Sequence, residues 1–219
     1  MQIDGIIFDS DGTLVDSETL SARTISGILH EAGAVLPADQ VLERFRGCHF
    51  APFAEALMRD YPVMGVADFT RAYRQRSRAL FAQELQPMPG ALAVVAGLSV
   101  EKCVASNGPM DKLETCLGVT GLLPYFKDRV ASAYEVGSWK PAPGLILHAA
   151  AMMQLPPDRC LLVEDSLAGI QAGLAAGVQV VGYRIGAATR AAVGDRVRVI
   201  QELAELHGII QLSRSGPGC

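Results

Sequence analysis

Four short apolar runs, Ile3–Asp9, Lys102–Ser106, Arg159–Glu164 and Val178–Tyr183, divide the sequence, each rich in β-branched or aliphatic residues. Runs of this length and composition are predicted to be buried strands. Stretches of helical character follow the second, third and fourth runs, so from residue 87 onward the order reads β-α-β-α. That order predicts an α/β fold, a doubly wound parallel sheet covered by helices on both faces.

Residues 17–86 break the alternation. They hold no convincing strand and give amphipathic helices over Glu18–Ala32, Ala38–Phe45, Pro52–Arg59 and Ala67–Glu84. An all-helical domain inserted after the first strand is the expected organisation. Pro87, Pro89 and Gly90 in "LQPMPGA" make a stiff re-entry into the α/β part. The expected domains are an α/β core of residues 1–16 and 87–212, a helical insertion of 17–86, and a disordered tail from 213 to 219.

Three strand ends carry polar residues. The first run is followed by Asp9 and Asp11 within "IIFDSDGTLVDSE", the second ends in Ser106-Asn107, and the third ends in Glu164-Asp165. In open α/β sheets ligands bind outside the carboxyl ends of the strands, so a single location accounts for all three. Lys140, in the Pro-rich loop "GSWKPAPG" before a helix expected near Gly144, is a fourth candidate. Each piece alone has a plain explanation. A D-x-D is usually a solvated turn, Ser-Asn-Gly is ordinary turn chemistry, and a lysine before proline is most often surface charge.

Four acidic residues behind an oily strand call for a cation, or for a phosphate held through one. A calcium loop beginning at Asp9 needs an oxygen ligand at its fifth position, glycine at its sixth and a carboxylate at its twelfth. Those positions hold Thr13, Leu14 and Leu20, and the last two fail. There is no G-x-S-x-G elbow, Walker loop or G-x-G-x-x-G, and His30, His49, His148 and His207 lack metal-ligand spacing. That leaves the carboxylates with Mg²⁺, a hard cation that takes oxygen ligands from one or two carboxylates, water and substrate phosphate.

Composition narrows the partners. A net charge of −4 with 19% charged residues offers no basic surface for nucleic acid or anionic lipid. Cys48, Cys103, Cys116, Cys160 and Cys219 form no C-x-x-C pair, which suits a reducing compartment. No signal pattern or membrane-length apolar run is present, so a cytoplasmic enzyme acting on a small molecule is expected, as a monomer. Gly169, Gly173 and Gly177 recur at four-residue spacing in "DSLAGIQAGLAAGV", and close packing of that helix on the sheet is the expected cause.

Taken in order, "FDSDGTLVDSE", "VASNG", "WKPAPG" and "LVEDSLAGIQAG" resemble the four motifs of the haloacid dehalogenase superfamily. The match covers nearly the whole chain. The helical insertion is similar to the C1 cap of the superfamily's sugar-phosphate phosphatases, and the resemblance implies a Rossmann-like core. It also implies that Asp9 is the nucleophile, forming an aspartyl phosphate, and that Asp11 is the general acid and then the base for water. Mg²⁺ would be held by Asp9, the backbone carbonyl of Asp11 and Asp165, with Glu164 acting through water. Lys140, Ser106 and the backbone at Asn107 would hold the phosphoryl oxygens.

One departure is Gly144, where the family usually has an acidic residue; this weakens a favourable charge at a helix N-terminus and leaves the chemistry intact. The superfamily's dehalogenases lack the second motif aspartate, so Asp11 favours a phosphatase. A phosphomutase shares the same motifs, and a non-catalytic sugar-phosphate binder is expected to have lost Asp9, Asp11 or Lys140. For substrate recognition the resemblance points to Glu18 and to the insertion residues Arg46, Gly47 and Arg74. The stretches "RFRG", "SNGP", "WKPAPGLILHAA" and "YFKDRVASAYEV" are similar to bacterial 6-phosphogluconate phosphatases. An anionic sugar acid suits a basic loop.

Overall fold

The computed structural model describes residues 2–45, 50–126 and 128–214. Strands β1 (Gly5–Phe8), β2 (Glu101–Ser106), β3 (Val130–Ser132), β4 (Cys160–Glu164), β5 (Gln179–Tyr183) and β6 (Arg198–Ile200) form one sheet. Its order is β3-β2-β1-β4-β5-β6, with every pair parallel. The chain builds outward from β1 on one side, then returns to β1's other edge at β4. The strand order therefore reverses between β1 and β4, the point at whose carboxyl ends open α/β sheets bind their ligands.

β1, β2, β4 and β5 coincide with the four apolar runs to within two residues. All four residues of β1 and all five of β4 are buried, as expected of strands covered on both faces. β3 and β6 are additions to the sequence reading. Each is three residues long and lies at an edge, where register with a neighbour (Val104 with Val130, Tyr183 with Ile200) holds it in place of an apolar run.

The chain packs as two compact units, one formed by the segments up to Val15 and from Pro87, the other by Asp16–Gln86. The second unit contains α1 (Ser17–Glu31), α2 (Ala38–Phe45), α3 (Phe50–Asp60) and α4 (Val66–Glu84). On α4 the buried residues Phe69, Tyr73, Ser77 and Phe81 recur every fourth position and so share one face. Phe50 stacks on Tyr73 with ring centres 4.4 Å apart, and the Tyr73 hydroxyl pairs with Ser21 Oγ at 2.9 Å. A buried tyrosine thus keeps its polar tip satisfied.

In the first unit the remaining helices are α5 (Ala91–Gly97), α6 (Met110–Val119), α7 (Ala133–Val136), α8 (Gly144–Met152), α9 (Leu167–Ala176), α10 (Ala187–Val193) and α11 (Glu205–Arg214). One core layer packs Ile7, Cys103, Leu162 and Val180 of the sheet against Leu145 and Ile146 of α8 and Ile170 of α9. The glycine series on α9 does not have a single cause. A Cβ at Gly173 would strike Leu162 and Val180, which is the close packing expected, whereas Gly177 ends the helix with φ +76°. α11 carries Ser213 and Arg214, the first two residues of the expected tail. Ser213 Oγ donates to the Ile210 carbonyl at 2.7 Å and accepts from Ile3 N–H at 3.2 Å. Residues 215–219 lie outside the described residues. Among the described residues no helix is long and apolar enough to cross a membrane.

Candidate active site

The carboxyl ends of β1 and β4 bring Asp9, Glu164 and Asp165 together, with one oxygen of each lying within 4.8 Å of the others. Asp9 leaves β1 with its N–H bonded to the Val163 carbonyl at 3.0 Å, so the sheet ladder itself aims its side chain. Beyond it the chain turns sharply. Leu14 N–H and Val15 N–H both donate to the Ser10 carbonyl, at 2.9 and 3.0 Å. Gly12 makes the turn possible, since its φ is +79° and a Cβ there would run into the Asp165 carboxylate. Thr13, fully buried, donates to Asp165 Oδ1 at 3.4 Å.

Lys140 reaches into this cluster with only 3% of its surface exposed. Its ammonium donates to Asp9 Oδ1 at 2.5 Å and to Glu164 Oε2 at 2.7 Å. Burial pulls the Lys140 ammonium down, but Asp9 and Glu164 outweigh it and lift the group above its ordinary value, so the lysine is charged. Glu164 is equally enclosed. Its other oxygen accepts from Ser166 N–H at 3.0 Å and Ser166 Oγ at 2.7 Å, while Ser166 Oγ caps α9 by accepting from Gly169 N–H. A Cβ at Gly169 would collide with the Glu164 carboxylate, so the first glycine of the series clears space for the site.

The Ser106-Asn107 pair divides its work. Ser106 Oγ, buried at the end of β2, accepts from Gly108 N–H at 3.1 Å. The Asn107 side chain grips the Lys140 backbone, accepting from Lys140 N–H at 2.9 Å and donating to the Lys140 carbonyl at 3.3 Å. The second motif therefore carries the loop that delivers the lysine. Ser132 at the end of β3 donates to the Gly108 carbonyl at 2.7 Å and ties the same loop to the sheet.

Asp11 is paired with a residue that the sequence reading did not select. Lys112 Nζ donates to Asp11 Oδ1 at 2.8 Å and Oδ2 at 2.7 Å. Counted fully ionised, four carboxylates (Asp9, Asp11, Glu164, Asp165) thus stand against two ammonium groups (Lys140, Lys112), a formal surplus of two negative charges. The Asp9 carboxyl is pushed up to about 8, mainly by burial and then by the negative charge of Glu164 and Asp11, against the pull of Lys140. A divalent cation answers that surplus, and an all-oxygen donor set fits a hard ion.

This geometry coincides with a family pattern. Residues 3–177 match the family model of haloacid dehalogenase-like hydrolases. The chain belongs to that family. It is 33% identical over 206 residues to a 6-phosphogluconate phosphatase of Escherichia coli (strain K12), covering 94% of this chain and 93% of that protein. Two solved structures are similar throughout, each 29% identical. A haloacid dehalogenase-like protein of unknown function from Agrobacterium tumefaciens superposes with a TM-score of 0.83, covering 97% of this chain and 99% of the other. A haloacid dehalogenase family hydrolase from Deinococcus radiodurans, with bound phosphate and sodium, has a TM-score of 0.81 and coverages of 97% and 96%.

As a haloacid dehalogenase-like hydrolase with phosphatase relatives, the chain is a phosphomonoester hydrolase, and its acidic cluster can take a divalent metal. Among the other sequence candidates, Glu18 is half-buried in the first turn of α1 and Arg74 is exposed on α4. Arg46 and Gly47 lie outside the described residues. Lys112 and Ser132 escaped sequence reading because neither sits in a recognisable motif. The one local signal was a cation in the first turn of α6, where the helix dipole disfavours it.

Proposed function

We propose that the protein is a Mg²⁺-dependent, cytoplasmic, monomeric phosphatase of small phosphorylated sugars or sugar acids, 6-phosphogluconate foremost, working through an aspartyl phosphate on Asp9. The observation that carries this reading is the buried Asp9–Lys140–Glu164 group beside Asp165, a nucleophile and a fixed cation at the point where the strand order reverses. Asp9 attacks phosphorus and the ester oxygen leaves with a proton from Asp11. Water then gives a proton to Asp11 and displaces phosphate from Asp9, restoring Asp9 as a carboxylate and Asp11 as the protonated acid.

Asp9, Asp165 and the Asp11 carbonyl would hold the Mg²⁺, which offsets the repulsion between a carboxylate nucleophile and a phosphate dianion. Glu164 has one oxygen on Lys140 and the other on Ser166, an arrangement that suits holding the lysine and reaching the ion through water. Lys140 and Ser106 stabilise the phosphoryl oxygens, and Asn107 serves them by fixing the Lys140 backbone. The buried thiols of Cys103, Cys116 and Cys160 are unpaired, in keeping with a reducing compartment. Arg46, Gly47, Arg74 and Glu18 are proposed to select the organic part of the substrate.

Phosphate release from a panel of phosphorylated metabolites, with and without Mg²⁺, tests the reading. 6-Phosphogluconate should be preferred over neutral sugar phosphates, and activity should vanish after chelation and return with Mg²⁺. A preference for neutral sugar phosphates removes the sugar-acid assignment, and full activity after exhaustive chelation removes the metal. A hexose 1-phosphate incubated with a bisphosphate activator should give free phosphate; appearance of the 6-phosphate isomer would make the enzyme a mutase.

A further inference from the structure

Lys112 is held as a component of the site is held, although no motif contains it. It stands in the first turn of α6, with its N–H bonded to the Pro109 carbonyl at 3.1 Å and to Asp111 Oδ1 at 2.9 Å. Its stem crosses Gly108, where an added Cβ would lie 3.7 Å from Lys112 Cδ, and Gly108 is itself anchored by Ser132. The ammonium then meets both oxygens of Asp11, 101 residues earlier in sequence, at 2.8 and 2.7 Å. Each side chain is only 28% exposed. A solvated surface pair of this type keeps its rotamer freedom and contributes little; this one is anchored at both backbones and grips two acceptors at once.

We infer that Lys112 is a positioning residue for Asp11, acting in the half-reaction where water removes phosphate from the enzyme. The inference rests on the aspartyl-phosphatase reading above. Two bonds from one ammonium to both oxygens fix the direction of the carboxylate, which is the form of Asp11 that accepts the proton from water. In that step water gives a proton to Asp11, its oxygen bonds to phosphorus, and the bond from phosphorus to the Asp9 oxygen breaks. Phosphate leaves, and the electron pair returns to Asp9. Without Lys112, Asp11 loses the two bonds that hold both of its oxygens and spends less time aimed at the attacking water.

The test is the decay rate of the phosphoenzyme in Lys112→Met and Lys112→Arg. The full-length protein with Mg²⁺ is loaded with radiolabelled p-nitrophenyl phosphate, whose leaving group needs no acid, so that loading does not depend on Asp11. Label on the protein is then followed during a chase with unlabelled ester. Lys112→Met should slow decay about tenfold or more and lower kcat and KM together, leaving kcat/KM near wild type. Lys112→Arg, which keeps charge and two donors, should recover most of the rate. A purely structural defect would reduce the amount of phosphoenzyme and leave its decay rate unchanged. Wild-type decay in Lys112→Met, or a loss confined to kcat/KM, overturns the inference alone. Absence of any phosphoenzyme in the wild type overturns the mechanism beneath it.

Discussion

Both units carry ion pairs at the surface, but their interiors differ in charge. In the α/β unit Lys140 and Glu164 are almost wholly enclosed and bonded to each other and to neighbours. In the helical unit the ion pairs Arg23–Glu84, Arg76–Glu31 and Arg71–Asp68 stay at the surface, and the interior is filled by residues such as Phe53, Leu57, Phe69 and Tyr73. Burying ions is costly unless they are paired, and even then an apolar pair of the same size often serves stability better. A chain that needed only to fold would have built both interiors alike. The enclosed charges are where we propose the chemistry is done, whereas the exposed ones lie on a solvated face.

Substitutions can break or sharpen this contrast. The largest effect is expected at Asp9: Asp9→Asn should lower kcat by at least about a thousandfold. Steady-state assay with p-nitrophenyl phosphate checks it, and turnover near the wild-type rate would remove Asp9 from the nucleophile role. Next comes Lys140→Met, which leaves Asp9 and Glu164 side by side without their cation. Removing one partner of a buried pair costs on the order of 3–5 kcal/mol of stability. Denaturant unfolding of the metal-free variant should show this loss, together with loss of activity. A variant as stable as wild type would mean that Lys140 is not the cation holding the cluster together.

A third effect concerns pH and metal. The Asp9 carboxyl is raised from its ordinary 3.8 to about 8, so the folded metal-free protein binds a proton there that the unfolded chain has released. The stability this contributes is present at low pH and is lost as pH climbs from about 4 to about 8. Metal must displace the same proton, so affinity for Mg²⁺ should rise with pH and level off above about 8. Calorimetric titration in buffers of different ionisation enthalpy reads the released proton. Affinity that falls with rising pH would contradict the assignment.

The recognition proposed for the helical unit should give a smaller effect. Arg46→Ala should cut kcat/KM for 6-phosphogluconate by about 10- to 150-fold, the value of one charge-assisted hydrogen bond, and leave a small ester nearly untouched. Equal losses on both would assign Arg46 to closure or folding. Smallest of all, Arg76→Ala removes an exposed pair and should change unfolding free energy by less than about 1 kcal/mol.

What was legible in the sequence follows the same division. The strands β1, β2, β4 and β5 announce themselves because burial on both faces demands continuous apolar runs, and the carboxylates stand out because they follow such runs directly. β3 and β6, three residues each, are strands only through their neighbours. Lys140 could be nominated from its loop, but its bonds to Asp9 and Glu164 span 131 and 24 residues and are products of the fold. Asn107 looked like a phosphate ligand or a turn residue. Its hold on the Lys140 backbone depends on two loops meeting. Lys112 offered only a cation in the first turn of a helix, and its partner Asp11 lies 101 residues away in sequence. The insertion was readable as helices by periodicity, but the aim of an arginine on an exposed face is not a periodic property.

If the enclosed cluster works as proposed, Asp9 carries the phosphoryl group during turnover. The most direct measurement is rapid acid quench of the Mg²⁺-loaded enzyme during turnover of a radiolabelled phosphate ester, followed by peptide mapping of the label and treatment with hydroxylamine. An acid-stable, hydroxylamine-sensitive label is expected on the peptide containing Asp9 and absent from Asp9→Asn. Label on any other residue, or sustained turnover with no label at any quench time, would contradict that role of Asp9.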